Sequence, residues 1–247
     1  IITLAQAADL SELQEAGAII RRGGLVAFPT ETVYGLGGNA LDPEAAARIY
    51  AAKGRPSDNP LIVHVAQPEQ IEGLVVDIPP VAAQLIERFW PGPLTLVFSA
   101  KKEVPRKTTG GLDTVAIRMP AHLVALAFIE ACGCPIAGPS ANLSGCPSPT
   151  TAQHVIADLA GRIDMIIDSG HTGVGVESTV LDVTVSPPQV LRPGGLTLEQ
   201  LRQTVPAVTV DPTTVQDTPP EIGRVRSPGM KYKHYAPKAE VLVVEGQ

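Results

Sequence analysis

A chain of 247 residues can hold one large domain or a domain with an appendage, and with 44% hydrophobic but only 4% aromatic residues its core must be built from Val, Ile, Leu and Ala, as in buried α/β sheets. A net charge of −6 excludes a surface that wraps nucleic acid throughout, because phosphate binding rests on Lys and Arg, although a local basic patch stays open. No run of 18 apolar residues predicts a membrane span, and Cys132, Cys134 and Cys146 fit neither a disulfide framework nor a four-ligand zinc site, so a reducing cytoplasm is expected.

Along the chain, Leu10, Leu13, Ala16, Gly17 and Ile20 recur at helical spacing, and Gly23-Gly24 ends the pattern before a strand over 25–28. Helices are predicted over 43–53, 80–89, 121–131 and 151–160. Between them fall strands over 61–65, 94–99, 114–119, 134–137, 165–168 and 178–185. Such alternation predicts an α/β fold, with antiparallel pairs where two strands adjoin. From about residue 200, Pro206, Pro212, Pro219, Pro220, Pro228 and Pro237 punctuate a stretch with little periodicity, as in an interdomain linker. The strand-like run over 240–245 needs a sheet to pack in, so a further domain is expected to begin there.

Several loops carry chemistry. The segment Pro29-Thr30-Glu31-Thr32-Val33-Tyr34 is a polar loop at a strand end, where α/β sheets bind ligands. The glycines that follow, from Gly35 to Ala40, match a dinucleotide fingerprint by letter but do not follow a strand directly. In Lys53-Gly54-Arg55-Pro56-Ser57-Asp58-Asn59-Pro60, a compact cation and a planar fork share one loop, which suits either a polyphosphate or a solvated helix end. His64 points away from the face of Leu61, Val63 and Val65. Arg118 lies on an apolar strand with Thr114 on the same face, and needs an anionic partner: a structural carboxylate or that of a ligand. The turn from Gly138 to Gly145 offers hydroxyls, an amide and backbone donors, fit for an anion or for ordinary turn chemistry. A serine hydrolase elbow would need Gly where Asn142 stands, and neither a Walker A sequence nor a paired-His zinc motif is present.

Lys53-Gly54-Arg55 together with Ser140-Ala141-Asn142 resembles the K-x-R…S-x-N signature of the YrdC family. The likeness extends through 28–37, 55–64, 89–95, 116–120, 138–145, 177–180 and 191–195, which span nearly residues 1–200. The segment 227–237 resembles the linker of the longer, two-domain members. The resemblance implies a YrdC-like twisted open mixed α/β sheet with flanking helices and a concave, positively charged cleft. It implies a catalytic domain over 1–200, a linker over 201–237 that folds over the active site, and the first strand of a Rossmann-like domain over 238–247. The implied activity is L-threonylcarbamoyladenylate synthesis, joining L-threonine, bicarbonate and ATP with release of pyrophosphate for tRNA modification. By the same resemblance, threonine contacts fall to Thr32, His64, Arg118, Gly138 and Ser178. ATP contacts fall to Lys53, Arg55, Asn59, Thr114, Ser140, Asn142, Ser148, Arg192 and Tyr235, with Lys53 and Arg55 also catalytic. Mg²⁺ is expected to arrive with ATP, and the tRNA-modifying transferase machinery to accept the product; weak RNA binding is left open. The competing readings are a non-catalytic RNA-binding module, which would be more basic, and a carbamoyl-phosphate-using maturation domain, which usually carries Cys-rich segments absent here.

Overall fold

The computed structural model describes residues 2–3 and 10–214. In chain order its strands are β1 (Ile2–Thr3), β2 (Val26–Phe28), β3 (Gly35–Asn39), β4 (Ile62–His64), β5 (Leu94–Ser99), β6 (Thr114–Arg118), β7 (Ile136–Ala137), β8 (Met165–Asp168), β9 (Thr179–Asp182), β10 (Gln189–Arg192) and β11 (Thr209–Val210). The helices are α1 (Leu10–Arg21), α2 (Pro43–Lys53), α3 (Pro80–Phe89), α4 (Leu123–Cys132), α5 (Ala152–Leu159) and α6 (Leu198–Thr204). The strands form one sheet in the order β1-β8-β2-β3-β7-β4-β6-β5-β9-β10-β11. Its pairs are mixed: β4/β6 and β5/β9 run parallel, while β2/β3, β5/β6 and β9/β10 run antiparallel. The expected mixed α/β sheet with flanking helices is therefore the fold found.

Strand alternation explains the layers. Residues such as Ala27, Val63 and Ile117 share one face with Ile49 of α2, Leu85 of α3, Val155 of α5 and Leu201 of α6. On the opposite face, Leu13 and Ile20 of α1 and Phe128 of α4 pack on Val26, Phe28, Ile136 and Ile167. Further along that face, Ile62, Val97, Ala116, Val180 and Leu191 form a separate apolar cluster to which no helix contributes a residue. This stretch of sheet is the floor of the cleft described below.

Two segments differ from the sequence-based expectation. The glycines at 35–38 belong to a strand, not a loop: β3 pairs antiparallel with β2, so Phe28 sits opposite Gly35. A Cβ at Gly35 would stand 3.0 Å from the Phe28 ring, and one at Gly37 would stand 2.9 Å from Ile136 Cγ2. The glycines thus make room for neighbouring side chains, which disposes of the dinucleotide fingerprint. The second difference lies at residue 200, where a linker was expected: Leu201 of α6 is fully buried, and β11 extends the sheet beside β10. The rest of that linker and the strand expected over 238–247 lie outside the described residues.

Candidate active site

The cleft opens at the C-terminal ends of β4 and β6, where parallel register sets His64 beside Arg118. Alternation places Thr114, Ala116 and Arg118 on the same face as Ile62 and His64. Arg118 is only 3% exposed, and its guanidinium is held on three sides. Nε donates to the Gly92 carbonyl at 3.1 Å, Nη1 donates to Thr32 Oγ1 at 2.8 Å, and Nη2 lies 2.5 Å from Glu31 Oε1. The last is an ion pair between side chains 4% and 14% exposed. Burial lowers the Arg118 pKa, Glu31 opposes that shift, and the charge of Arg192 adds to it. The Glu31 carboxylate thus supplies the anionic partner demanded by the sequence.

The 30–32 loop is fixed by its own hydroxyls. Thr30 Oγ1 donates to the Val33 carbonyl at 2.7 Å and lies 2.9 Å from Thr32 Oγ1. Tyr34, fully buried, donates to the Gly170 carbonyl at 2.7 Å and anchors the β2–β3 hairpin; burial pushes its pKa up to about 12. His64 is buried edge-on to Phe28, with ring centroids 5.6 Å apart and planes at 87°. Burial first, then the charge of Arg118, lowers its pKa to about 3, so the ring is neutral near pH 7. Among the described residues its Nδ1 has no hydrogen-bond partner. Ser178 Oγ lies 2.7 Å from Thr95 Oγ1, and Arg192 Nη2 donates to the Ser178 carbonyl at 2.8 Å.

Helix α2 separates the two cations of the Lys53-Gly54-Arg55 motif. Asp42 caps its start by accepting from the Glu44 amide, and Gly54 ends it in the left-handed conformation at φ 60°. Lys53, inside the last turn, is 2% exposed, and its Nζ donates to the Ser140 carbonyl and, at 2.5 Å, to the Asn142 carbonyl. Burial lowers its pKa to about 7. Arg55, beyond the cap, is half-buried and donates to the Pro60 carbonyl at 3.2 Å. One cation braces the 140–142 turn and the other faces the cleft.

The cleft spans about 590 Å³ of space between its walls, open solvent included. All five residues expected to contact threonine line it: Thr32, His64, Arg118, Gly138 and Ser178. Of those expected on ATP, Arg55, Ser140 and Arg192 line it. Lys53, Asn59, Thr114, Asn142 and Ser148 are not in its wall. Thr114 stands at the far end of the same floor, four strand residues or about 13 Å from Arg118. Asn59 is fully buried, and Tyr50 donates to its carbonyl at 3.1 Å. Asn142 is bound by Lys53 and donates to the carbonyls of Leu143 and Cys146, and Ser148 pairs with Glu177 Oε1. Tyr235 lies outside the described residues. Sequence reasoning missed Glu31 and Glu177; the former stood in the open as the only acid in the Thr30–Tyr34 loop. Among the described residues no group of three His, Cys, Asp or Glu side chains could hold a metal ion, and no helix is long and apolar enough to cross a membrane.

An open mixed sheet with a cation-lined cleft, over a stretch of one face to which no helix contributes, defines an α/β protein with a candidate site for an anionic ligand. The Sua5_yciO_yrdC family model, described as "Telomere recombination", matches residues 18–194, and the model described as "Threonylcarbamoyl-AMP synthase, C-terminal domain" matches residues 196–247. The threonylcarbamoyl-AMP synthase of Pyrococcus abyssi is 55% identical over 246 residues, covering 100% of this chain and 72% of the relative. That of Bacillus subtilis is 52% identical over 236 residues, covering 95% and 67%. The crystal structure of P. abyssi Sua5 complexed with L-threonine superposes with a TM-score of 0.95 at 54% identity, covering 100% of this chain and 72% of that one. The chain belongs to the Sua5/YciO/YrdC family, and to its longer, two-domain type.

Proposed function

We propose that the chain is an L-threonylcarbamoyladenylate synthase, a nucleotidyltransferase that makes threonylcarbamoyl-AMP and pyrophosphate from L-threonine, bicarbonate and ATP. One observation carries this reading beside the family: a single apolar floor has Arg118 at one end, walled by hydroxyls, with Arg55 and Arg192 also lining the cleft. Such a floor suits a zwitterionic amino acid lying in line with a polyphosphate. The threonine carboxylate meets Arg118, with Thr32, His64, Gly138 and Ser178 closing the pocket. ATP lies along the floor toward Thr114 and Asn59, its phosphates neutralised by Arg55 and Arg192 and met by the Ser140 turn that Lys53 and Asn142 brace, with Ser148 beside it. Mg²⁺ would enter as part of the ATP substrate.

The threonine amine adds to bicarbonate or CO₂, and a carbamate oxygen then attacks the α-phosphorus with pyrophosphate leaving. Little covalent chemistry is asked of the protein, so positioning and fixed charge supply the catalysis. The product would pass to the machinery that modifies tRNA adenosine, in the cytoplasm, where three free thiols are at home. The deciding experiment measures pyrophosphate release with threonine, bicarbonate and ATP omitted one at a time. Release should need all three; equal release without threonine would sink the assignment.

A further inference from the structure

We infer that Glu177 is a catalytic residue: it takes the proton that the threonine ammonium must lose before its nitrogen can attack. The inference rests on the reaction proposed above and supplies the base which that reaction needs.

The described residues that line the cleft include three guanidinium groups, from Arg55, Arg118 and Arg192, one imidazole, from His64, and one carboxylate, from Glu177. A zwitterion seated with its carboxylate on Arg118 presents an ammonium to this set, and an ammonium cannot act as a nucleophile. The guanidiniums hold no lone pair to offer. His64 is a poor acceptor, because protonating it would place a second buried cation beside Arg118. Glu177 instead becomes neutral on taking the proton, and pairs with the ammonium before doing so.

Its placement is built from several sides. Just before it, the amides of Val174 and Gly175 donate to the carbonyls of Glu31 and Thr32, at 2.8 and 3.0 Å, tying its loop to the segment that holds Arg118. Behind it, the Gly195 amide donates to the Glu177 carbonyl at 2.8 Å. The approach requires glycine, since a Cβ at Gly194 would stand 2.3 Å from that carbonyl oxygen. The carboxylate is oriented too: the Ser148 hydroxyl bonds Oε1, which leaves Oε2 for the substrate. Glu177 is half-buried, so a proton it accepts can go on to solvent.

The step balances without any further reagent. One N–H bond of the ammonium breaks, its electron pair stays on nitrogen, and the proton moves to Oε2 and then to water. The free amine attacks the carbon of CO₂, one C–O π pair moves onto oxygen, and the second N–H proton leaves to water to give the carbamate; with bicarbonate the C–OH bond breaks as well, and its hydroxide leaves as water with that proton. The cations around it disfavour the ammonium form and so assist its loss of a proton.

The test compares Glu177→Gln and Glu177→Asp with the unsubstituted chain across pH, reading threonine-dependent pyrophosphate release. At neutral pH Glu177→Gln should lower kcat/KM for threonine about a hundredfold. Glu177→Asp should recover part of it. As the pH rises past the ammonium pKa of threonine itself, the substrate arrives as free amine and the deficit should close. A deficit that stays constant with pH would make Glu177 a structural residue and overturn the inference. A deficit abolished by excess Mg²⁺ would assign it to the metal-bound phosphates and overturn the inference equally. If the unsubstituted chain releases no pyrophosphate in response to threonine, the reaction itself falls; if it does and Glu177→Gln matches it, only the role of Glu177 falls.

Discussion

In the cleft wall, Arg118 is buried, with oxygens of Gly92, Thr32 and Glu31 around its three nitrogens, whereas Arg55, beyond the end of α2, and Arg192, beside Ser178, are half-buried. The first arrangement is held by groups of the protein itself. Glu31 already balances the charge of Arg118, so a carboxylate seated there is selected by geometry more than by net attraction. The second sets two guanidinium groups in the cleft wall, which suits the larger negative charge of a triphosphate. A small, weakly distinguished substrate needs a fixed pocket, whereas a polyphosphate can be gathered by charge.

The largest effect expected from breaking this contrast is on stability. Arg118→Ala would strand Glu31, whose side chain is 14% exposed, as a buried carboxylate without its counter-ion. Loss of one partner of a buried pair costs about 3–5 kcal/mol. Urea unfolding should show that loss, and adding Glu31→Gln to Arg118→Ala should return part of it. A threonine affinity that fell while stability held would mean that Glu31 is already paired elsewhere.

At Arg55 the effect should be on rate and not on folding. Arg55→Ala removes a half-buried side chain with one contact to the Pro60 carbonyl at 3.2 Å and further interactions nearby. If Arg55 meets developing charge on the phosphates, kcat should fall about a hundredfold with the unfolding midpoint little changed. An unchanged rate would return Arg55 to the role of a helix-end charge.

Much of this was legible in the sequence because it depends on short-range rules. The alternation of His64 against Val63 and Val65, and of Arg118 against Ile117, sets each apart from the apolar face of its own strand; that the two share a face comes from the β4/β6 register. The glycine-rich β3 was not legible: its glycines answer to Phe28 and Ile136, contacts set by strand pairing and not by neighbours in sequence. Nor was the division of labour between Lys53 and Arg55, which turns on where α2 stops. A phosphate-binding pair and a brace beside a cleft-lining cation read identically as Lys-Gly-Arg until Gly54 is seen to cap the helix. Glu31 and Glu177 were passed over because an acid beside threonine or serine in a loop has no distinctive spacing; only the converging arginines give each a task.

The smallest effect tests whether the amino-acid end is as dry as its geometry requires. His64 has its pKa lowered from 6.5 to about 3, chiefly by burial and secondly by Arg118. In the unfolded chain the ring protonates as the pH drops through 6.5, whereas in the folded chain it resists until about 3. Between these values the unfolded state binds more protons, so stability is complete above pH 6.5 and declines as the pH falls through the window. Between pH 6 and pH 5 this one group should account for about 1 kcal/mol of lost stability, since a full unit of differential titration is worth about 1.4 kcal/mol. His64→Gln cannot titrate, so its unfolding free energy should fall less steeply over that interval, whatever its absolute value. The comparison of slopes removes the cost of repacking around Phe28, which is constant with pH. Equal slopes for the two proteins would mean that His64 takes up its proton near pH 6.5 in the folded state, and that water reaches the pocket where Arg118 waits.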